Sequence, residues 1–342
     1  MASSTPSSHP SPEHIFQTLN AHQQTAALKA AIELDVFTAI DEGNHRAEDI
    51  ANFVNASQRG VRILCDYLTI MGFLGKDDGK YSLSPDAALF LSKRSPAYMG
   101  TIVGFLANEA HHQNLARLKE AVRRGGTASD QGDNFAPNDD LWVSFARSMA
   151  PLMVPPAMFI AQLVRAQDAQ SMRVLVIAAG HGTFGITIAK QNPKATITAV
   201  DWPAVLEVAK ENAEHAGVAE RYTAHAGSAF EADFGDGYDL VLLTNIFHHF
   251  DKPTCVRLMK RVHAALKPEG KAVTLEFVPN EDRVTPATAA SFSLQMLIGT
   301  DSGDAYTFAE YQEMFGQAGF AKNTIHPVPA MPEQVIVSEK SR

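Results

Sequence analysis

The stretch Val174 to Ala189, VLVIAAGHGTFGITIA, decides the fold. Its branched apolar start reads as a buried strand, and Gly180, Gly182 and Gly185 then form a G-x-G-x-x-G run before a helical pattern. Glycines at such a junction let the backbone pass close to a ligand at a helix N-terminus. Asp201 closes the next strand signal, ATITAVD, 19 residues beyond Gly182. An acid at that point binds ribose hydroxyls. Both features suit a redox dinucleotide and a mononucleoside-type ligand equally.

The rest of the chain separates the two. RVLVIAA, TITAV, YTAHA, YDLVLLT and KAVTLEFV are strand-like, with helical stretches between most of them. That alternation predicts an α/β fold with a parallel sheet covered by helices on both faces. The helix TFAEYQEMFGQAGF opens with a capping box of Thr307 and Glu310. NTIHPV and EQVIVSE follow it, joined through PAMP, and can pair antiparallel, so the sheet is expected to finish in a hairpin. A dinucleotide fold needs a second mononucleotide half instead. The pattern therefore favours S-adenosylmethionine or a similar ligand and puts a nicotinamide oxidoreductase last.

A chain of 342 residues, 45% of them apolar, has length and core material for about two domains. It carries 29 basic and 38 acidic residues, a formal charge of -9 with no long run of one sign. The basic footprint of a nucleic-acid binder is missing. Cys65 and Cys255 lie far apart with no C-x-x-C pair, which argues against a disulfide framework or zinc knuckle and for a cytoplasmic protein. Residues 1–12 lie in MASSTPSSHPSPEH, rich in Ser and Pro, and read as a disordered tail without signal-peptide features. No apolar run reads as long enough to span a bilayer, so no membrane partner is expected.

Residues 13–97 show helix, helix, helix and hairpin, the last around KDDGKYSLS with Asp78-Gly79 as its two-residue turn. This is the outline of a winged helix. Only Arg59, Arg62 and Lys76 lie near its third helix, so dimerisation is the expected role and DNA contact the lesser one. Residues 98–165 read as a helical linker and substrate-pocket wall, dense in Trp142, Phe145, Met149, Met153, Met158 and Phe159. Such residues at helical spacing form core or a flexible apolar wall. Phe145, Met149 and Met153 are the candidate substrate contacts. His111 and His112 are adjacent on a helix, diverge, and have no carboxylate pair nearby, so no metal is expected. Residues 166–342 form the nucleotide-type domain.

VLVIAAGHGTFGITIAK, VDWPAVLEVAKENA, GSAFEADFGDGYDLVLLTNIFHHF, ALKPEGKAVTLEFVPNEDR and DAYTFAEYQEMFGQAGF resemble, in order, the motifs of class I S-adenosylmethionine-dependent methyltransferases. With the leading winged helix, the chain resembles the small-molecule O-methyltransferases that dimerise through that domain. The resemblance implies a Rossmann-like seven-stranded sheet ending in an antiparallel hairpin, and a homodimer. It implies S-adenosylmethionine as cofactor, S-adenosylhomocysteine as product, and a small planar aromatic acceptor of the kind found in secondary metabolism. It places Gly180, Gly182, Asp201, Trp202, Ser228, Ala229, Phe230 and Thr244 at the cofactor. His248 aligns with the general base, Glu276 with the acid that orients it, and His249 falls beside them as a structural or substrate-facing residue.

Three positions depart from the family. Val176 stands where an acid usually ends the first strand, Ser228 where an acid commonly meets the adenine amino group, and about Ala305 where plant members carry a second acid flanking the histidine. Each lost charge-assisted hydrogen bond carries an expected cost of about 1.5–3 kcal/mol in cofactor affinity. These departures keep two rivals open: an enzyme using the same pocket for a non-methylating cyclisation or elimination, and a ligand-sensing winged-helix regulator.

Overall fold

The computed structural model describes residues 10–129, 139–168 and 170–340. Residues 1–9 of the expected tail lie outside them. The chain divides into two compact units, Met1–Ala107 and Asn108–Arg342.

In the first unit α1 (Glu13–Leu19), α2 (His22–Glu33), α3 (Val36–Asp41), α4 (Ala47–Phe53) and α5 (Gln58–Ile70) lead into the hairpin β1 (Leu74–Asp77) and β2 (Lys80–Leu83). Helices α6 (Pro85–Phe90) and α7 (Val103–Leu106) complete it. The Ser57 hydroxyl starts α5 by accepting from Gly60 N at 3.1 Å. Val61, Cys65 and Leu68, spaced along one face, then bury against Phe37, Ile50 and Tyr81. Asp78 (φ 43°) and Gly79 (φ 69°) close the expected two-residue turn with Asp77 opposite Lys80, the left-handed pair of a type I′ hairpin.

The second unit opens with α8 (Glu109–Ala116), α9 (Leu118–Arg124), α10 (Asp139–Met149) and α11 (Val154–Leu163). Its sheet holds β3 (Met172–Ile177), β4 (Ala195–Asp201), β5 (Tyr222–Ala226), β6 (Tyr238–Thr244), β7 (Leu266–Glu276), β8 (Phe320–Pro327) and β9 (Gln334–Lys340), in the order β5-β4-β3-β6-β7-β9-β8. Strands β3 to β7 pair in parallel, and β9 runs antiparallel to both β7 and β8. The expected seven-stranded sheet and closing hairpin are both present. Helices α12 (Thr183–Gln191), α13 (Pro203–His215), α14 (Lys252–Ala265), α15 (Ala287–Gly299) and α16 (Phe308–Gln317) intervene. The Thr307–Glu310 capping box is formed at α16.

Alternation along β3 builds two cores. Val174 and Val176 face a cluster with Ile188 of α12, Leu206 of α13 and Ile160 of α11. Leu175 and Ile177 face the other, with Leu258 of α14 and Phe315 of α16. Strand order reverses between β3 and β6, which opens a crevice at their carboxyl ends. The run Leu141–Leu163 corrects the expectation about apolar length: its 23 residues, mean hydropathy 1.2, are long and apolar enough to cross a membrane. Here they are α10, a 3-10 turn holding Pro151, and α11, with Met153, Ala157, Ile160 and Ala161 buried in the sheet's core.

Candidate active site

The glycine loop leaves β3 through left-handed residues Ala178 (φ 54°) and Gly180 (φ 57°), and Gly182 (φ 76°) caps α12. A Cβ on Gly182 would come within 2.8 Å of the Tyr222 hydroxyl, whereas one on Gly180 would meet nothing within 4 Å. Gly182 therefore serves packing, and Gly180 is the glycine over which a ligand can approach.

Asp201 holds this loop to β4. Gly180 N donates to its Oδ2 at 2.8 Å and Trp202 N to its Oδ1 at 2.7 Å. Burial pushes the Asp201 carboxyl up to about 6, against those two hydrogen bonds, which favour the charged form. His181 supplies a second anchor: its Nδ1 accepts from Thr183 N at 3.1 Å and its carbonyl from the Asn212 amide at 2.9 Å. Burial depresses His181 to about 4, so the ring is neutral at physiological pH. Val176, where the family carries an acid, is core, and the loop's polar anchoring falls to Asp201 and His181. The Ser228 hydroxyl accepts from Phe230 N at 3.2 Å.

A cavity lies at the crevice. Gly180, Asp201, Trp202, Ala229 and Thr244, expected at the cofactor, line it together with Phe145 and His249, while Gly182 and Ser228 do not. Trp142, which the sequence offers only as part of a pocket wall or core, also lines it, as do Asn245 and Ala178, which the sequence reading does not single out. The enclosed space is about 60 Å³. Phe230 is not among the lining residues; its ring meets Phe250 edge-on at 5.0 Å, with the Arg257 guanidinium 5.0 Å from its centre. Met149 ends α10, half-buried. Met153 is core, its sulfur taking the Asn245 amide at 3.6 Å.

Past β6 the chain turns sharply at Asn245 (φ 55°), whose N–H reaches the Leu275 carbonyl at 2.9 Å, and enters the 3-10 turn Phe247–His249. The turn carries His248 to Glu276 at the end of β7, with Nδ1 to Oε2 at 2.6 Å. The other carboxylate oxygen accepts from Ile246 N at 2.9 Å and Phe247 N at 2.8 Å. Glu276 is wholly buried and His248 5% exposed. With Glu276 accepting at this oxygen, the neutral imidazole carries its hydrogen on Nδ1 and presents a lone pair at Nε2. The His248 ring is flanked by His249, 4.4 Å between centres, and edge-on by Phe292 of α15 at 4.8 Å, which itself stacks on Phe277 at 4.0 Å. Burial, and then the neighbouring His248, hold His249 well below the usual imidazole range. A buried, hydrogen-bonded imidazole thus sits near a crevice lined by the Asp201 carboxyl.

Comparison with known proteins identifies this arrangement. Residues 145–321 match the model of the O-methyltransferase domain, and residues 16–93 that of the O-methyltransferase dimerisation domain. The chain belongs to the O-methyltransferase family. This O-methyltransferase is 30% identical over 300 residues, 86% of either chain, to the 3-hydroxy-5-methyl-1-naphthoate 3-O-methyltransferase of Streptomyces sahachiroi. A crystal structure from Nostoc punctiforme, with a provisional O-methyltransferase assignment, superposes with a TM-score of 0.93 at 49% identity, covering 97% of this chain and 100% of that one. The methyltransferase PigF of Serratia, solved with S-adenosylhomocysteine, superposes with a TM-score of 0.83 at 26% identity over 97% of this chain and 100% of its own. The O-methyltransferase uses S-adenosylmethionine, and its reaction is methylation of a hydroxyl on a small molecule. Nothing in these comparisons favours the non-methylating or regulatory rivals.

Proposed function

We infer that this O-methyltransferase methylates a phenolic hydroxyl on a small planar molecule, with His248 as general base and Glu276 as its positioning residue. The observation that carries the reading is the buried His248–Glu276 pair, which fixes the tautomer and leaves Nε2 to take a proton. The residues at the crevice suit an adenosyl group by their chemistry. Gly180 leaves open backbone, Asp201 offers a carboxylate to a diol, Trp202 and Ala229 offer apolar surface, and Asn245 keeps a buried, unpartnered Oδ1. Thr244 lines the same wall, whereas Gly182, Ser228 and Phe230 lie outside the lining and act through packing and loop shape. When bound, S-adenosylmethionine supplies an electrophilic methyl group on its sulfonium. The chain's own work is to bring the acceptor oxygen into line, receive its proton at Nε2, and stabilise the resulting imidazolium through Glu276. Phe145, His249 and Phe292 form the acceptor's wall; Met149 and Met153 stand behind it, Met153 through Asn245. The naphthoate acceptor in the Streptomyces relative's name is of this planar phenolic class.

The enclosed space is far below the roughly 300–1,000 Å³ of small-molecule sites. Ligand entry therefore requires lining side chains to move, and Trp142 and Phe145 on α10 are among those that line it. This gives a direct test, because both tryptophans of the chain, Trp142 and Trp202, line the cavity. Titration with S-adenosylhomocysteine should change the intrinsic tryptophan fluorescence saturably, and Trp142→Phe should remove part of the change. An unaltered spectrum under conditions where calorimetry shows binding would contradict the placement.

Cofactor affinity should also depend on pH through Asp201. Diol hydroxyls donate to the carboxylate, so binding favours the charged form and lowers a carboxyl that burial holds up at about 6. Affinity for S-adenosylhomocysteine should be full above about pH 6 and weaken as pH falls through it, approaching tenfold per unit. In the ligand-free protein the sign is reversed. The raised carboxyl contributes stability at low pH that is lost as pH rises through about 6. Dissociation constants at pH 5 to 8 check this; a flat profile contradicts the diol role.

The dimerisation domain supports a homodimer. On α1, Ile15, Phe16 and Leu19 are each at least 60% exposed, an apolar face suited to a second copy. The buried free thiols of Cys65 and Cys255 suit a reducing, cytoplasmic setting.

A further inference from the structure

The Asn245 side chain is held in one orientation. Its Nδ2 donates to the Met153 sulfur at 3.6 Å, and Met153 is itself fixed in the core. A thioether can only accept, so the amide nitrogen must face it and Oδ1 is the atom free for another partner. That oxygen is buried and meets no donor. Among the described residues that line the cavity, it is the one side-chain oxygen in that state. A buried acceptor without a donor costs free energy, and a bound ligand can supply what is missing.

The sheet order β4-β3-β6-β7 sets the groups of the site in a row across the strand ends. Asp201 ends β4, Gly180 follows β3, Asn245 follows β6, and Glu276 ends β7 with His248 on it. Neighbouring strands lie about 4.8 Å apart, so β6 ends two strand spacings from the acid assigned to the ribose and one from the strand whose acid holds the base. In the adenosyl cofactor the sulfur is carried on the ribose 5′ carbon, away from the diol. A cofactor with its diol at Asp201 and its methyl beside His248 therefore passes its sulfonium over the end of β6.

We propose that Asn245 is a specificity-determining residue, whose Oδ1 faces the sulfonium and selects the methylated, cationic cofactor over its neutral product. The positive sulfur polarises the hydrogens on its attached carbons, which then act as donors to a carbonyl oxygen. Once the methyl has passed to the acceptor oxygen, and that oxygen's proton to Nε2, the sulfur is a neutral thioether and the attraction is gone. Asn245 thus favours exchange of product for fresh cofactor. S-adenosylmethionine and S-adenosylhomocysteine share the same adenosine and the same α-ammonium, so a contact at sulfur alone separates them.

The inference rests on the placement of Asp201 at the ribose and His248 at the acceptor, and its test is a binding measurement without acceptor. Asn245→Gly removes the amide and keeps the left-handed backbone, which glycine adopts without strain. By calorimetry, the variant's affinity for S-adenosylmethionine should fall about three- to fivefold more than its affinity for S-adenosylhomocysteine. Equal losses for the two compounds, or none, overturn the proposal, because a structural residue, or one that meets the shared ammonium, would weaken both alike. Should that variant fail to fold, Asn245→Asp carries the test at about pH 8, where a carboxylate is ionised. Its full charge should raise the preference for S-adenosylmethionine, and a preference at or below that of wild type overturns the proposal equally. Failure of the base assignment shows elsewhere, as methyl transfer retained by His248→Ala, and leaves this preference untouched.

Discussion

His248→Ala is expected to lower kcat about 10²–10⁴-fold, the usual contribution of a positioned general base. Binding of S-adenosylhomocysteine should remain near wild type. The separation follows from geometry: the cavity is lined by Asp201, Gly180, Trp202 and His249, while the His248 ring belongs to the pair with Glu276 and to the wall with Phe292. Truncating the ring removes the proton acceptor but none of the nucleoside contacts. Isothermal calorimetry and release of S-adenosylhomocysteine during turnover check the two halves. A parallel loss of binding and turnover would mean that His248 holds the cofactor's wall together instead.

Glu276→Gln should be nearly as severe, although it changes one atom. The native carboxylate accepts from three donors, Ile246 N and Phe247 N at one oxygen and His248 Nδ1–H at the other. An amide has one acceptor oxygen and one donor nitrogen. If the oxygen keeps the two backbone N–H groups, the amide nitrogen faces Nδ1, which must then give up its hydrogen. The proton moves to Nε2, and the base can no longer accept. The analogous wrong-tautomer change in a serine protease triad costs about 10⁴ in kcat, and about 10²–10⁴ is expected here. Because the shape is kept, the thermal transition should fall only slightly. The double variant with His248→Ala should be no slower than His248→Ala alone, since both remove the same function. Additive losses would show that Glu276 acts on something other than the imidazole.

The sequence makes most of the architecture readable because the deciding signals are local. Branched residues in β3, the glycine loop, the acid closing β4 and the Thr307–Glu310 box each fix their own element within a few residues. The same holds for Asp78-Gly79, whose left-handed backbone is required by the two-residue turn. His248 is legible because its strand must end where ligands of such sheets bind. What escapes the sequence is long-range. Trp142 lies on α10, about 60 residues before Asp201 and Trp202, yet borders the same cavity; no periodicity announces that α10 folds over β4's end. Asn245 is hidden for another reason: its left-handed φ of 55° is set by the reach to Leu275 on the next strand. The apolar run Leu141–Leu163 reads differently once it is seen to divide at the 3-10 turn holding Pro151 into a half-buried α10 and an α11 that packs into the core. Val176 shows the converse, since its departure from the family's acid is visible in the sequence, but the hydrogen bonds by which Asp201 and His181 hold the loop are visible only in the fold.

The central claim is that Nε2 of His248 removes the acceptor's proton. Its most direct measurement is log kcat against pH for wild type and His248→Ala with the same phenol and saturating S-adenosylmethionine. The account predicts that the variant's rate climbs with pH as the phenol, of ordinary pKa near 10, ionises unaided, so that the gap to wild type narrows steadily. A gap that stays constant across the range would contradict it, because the missing imidazole would then have been doing something other than carrying a proton.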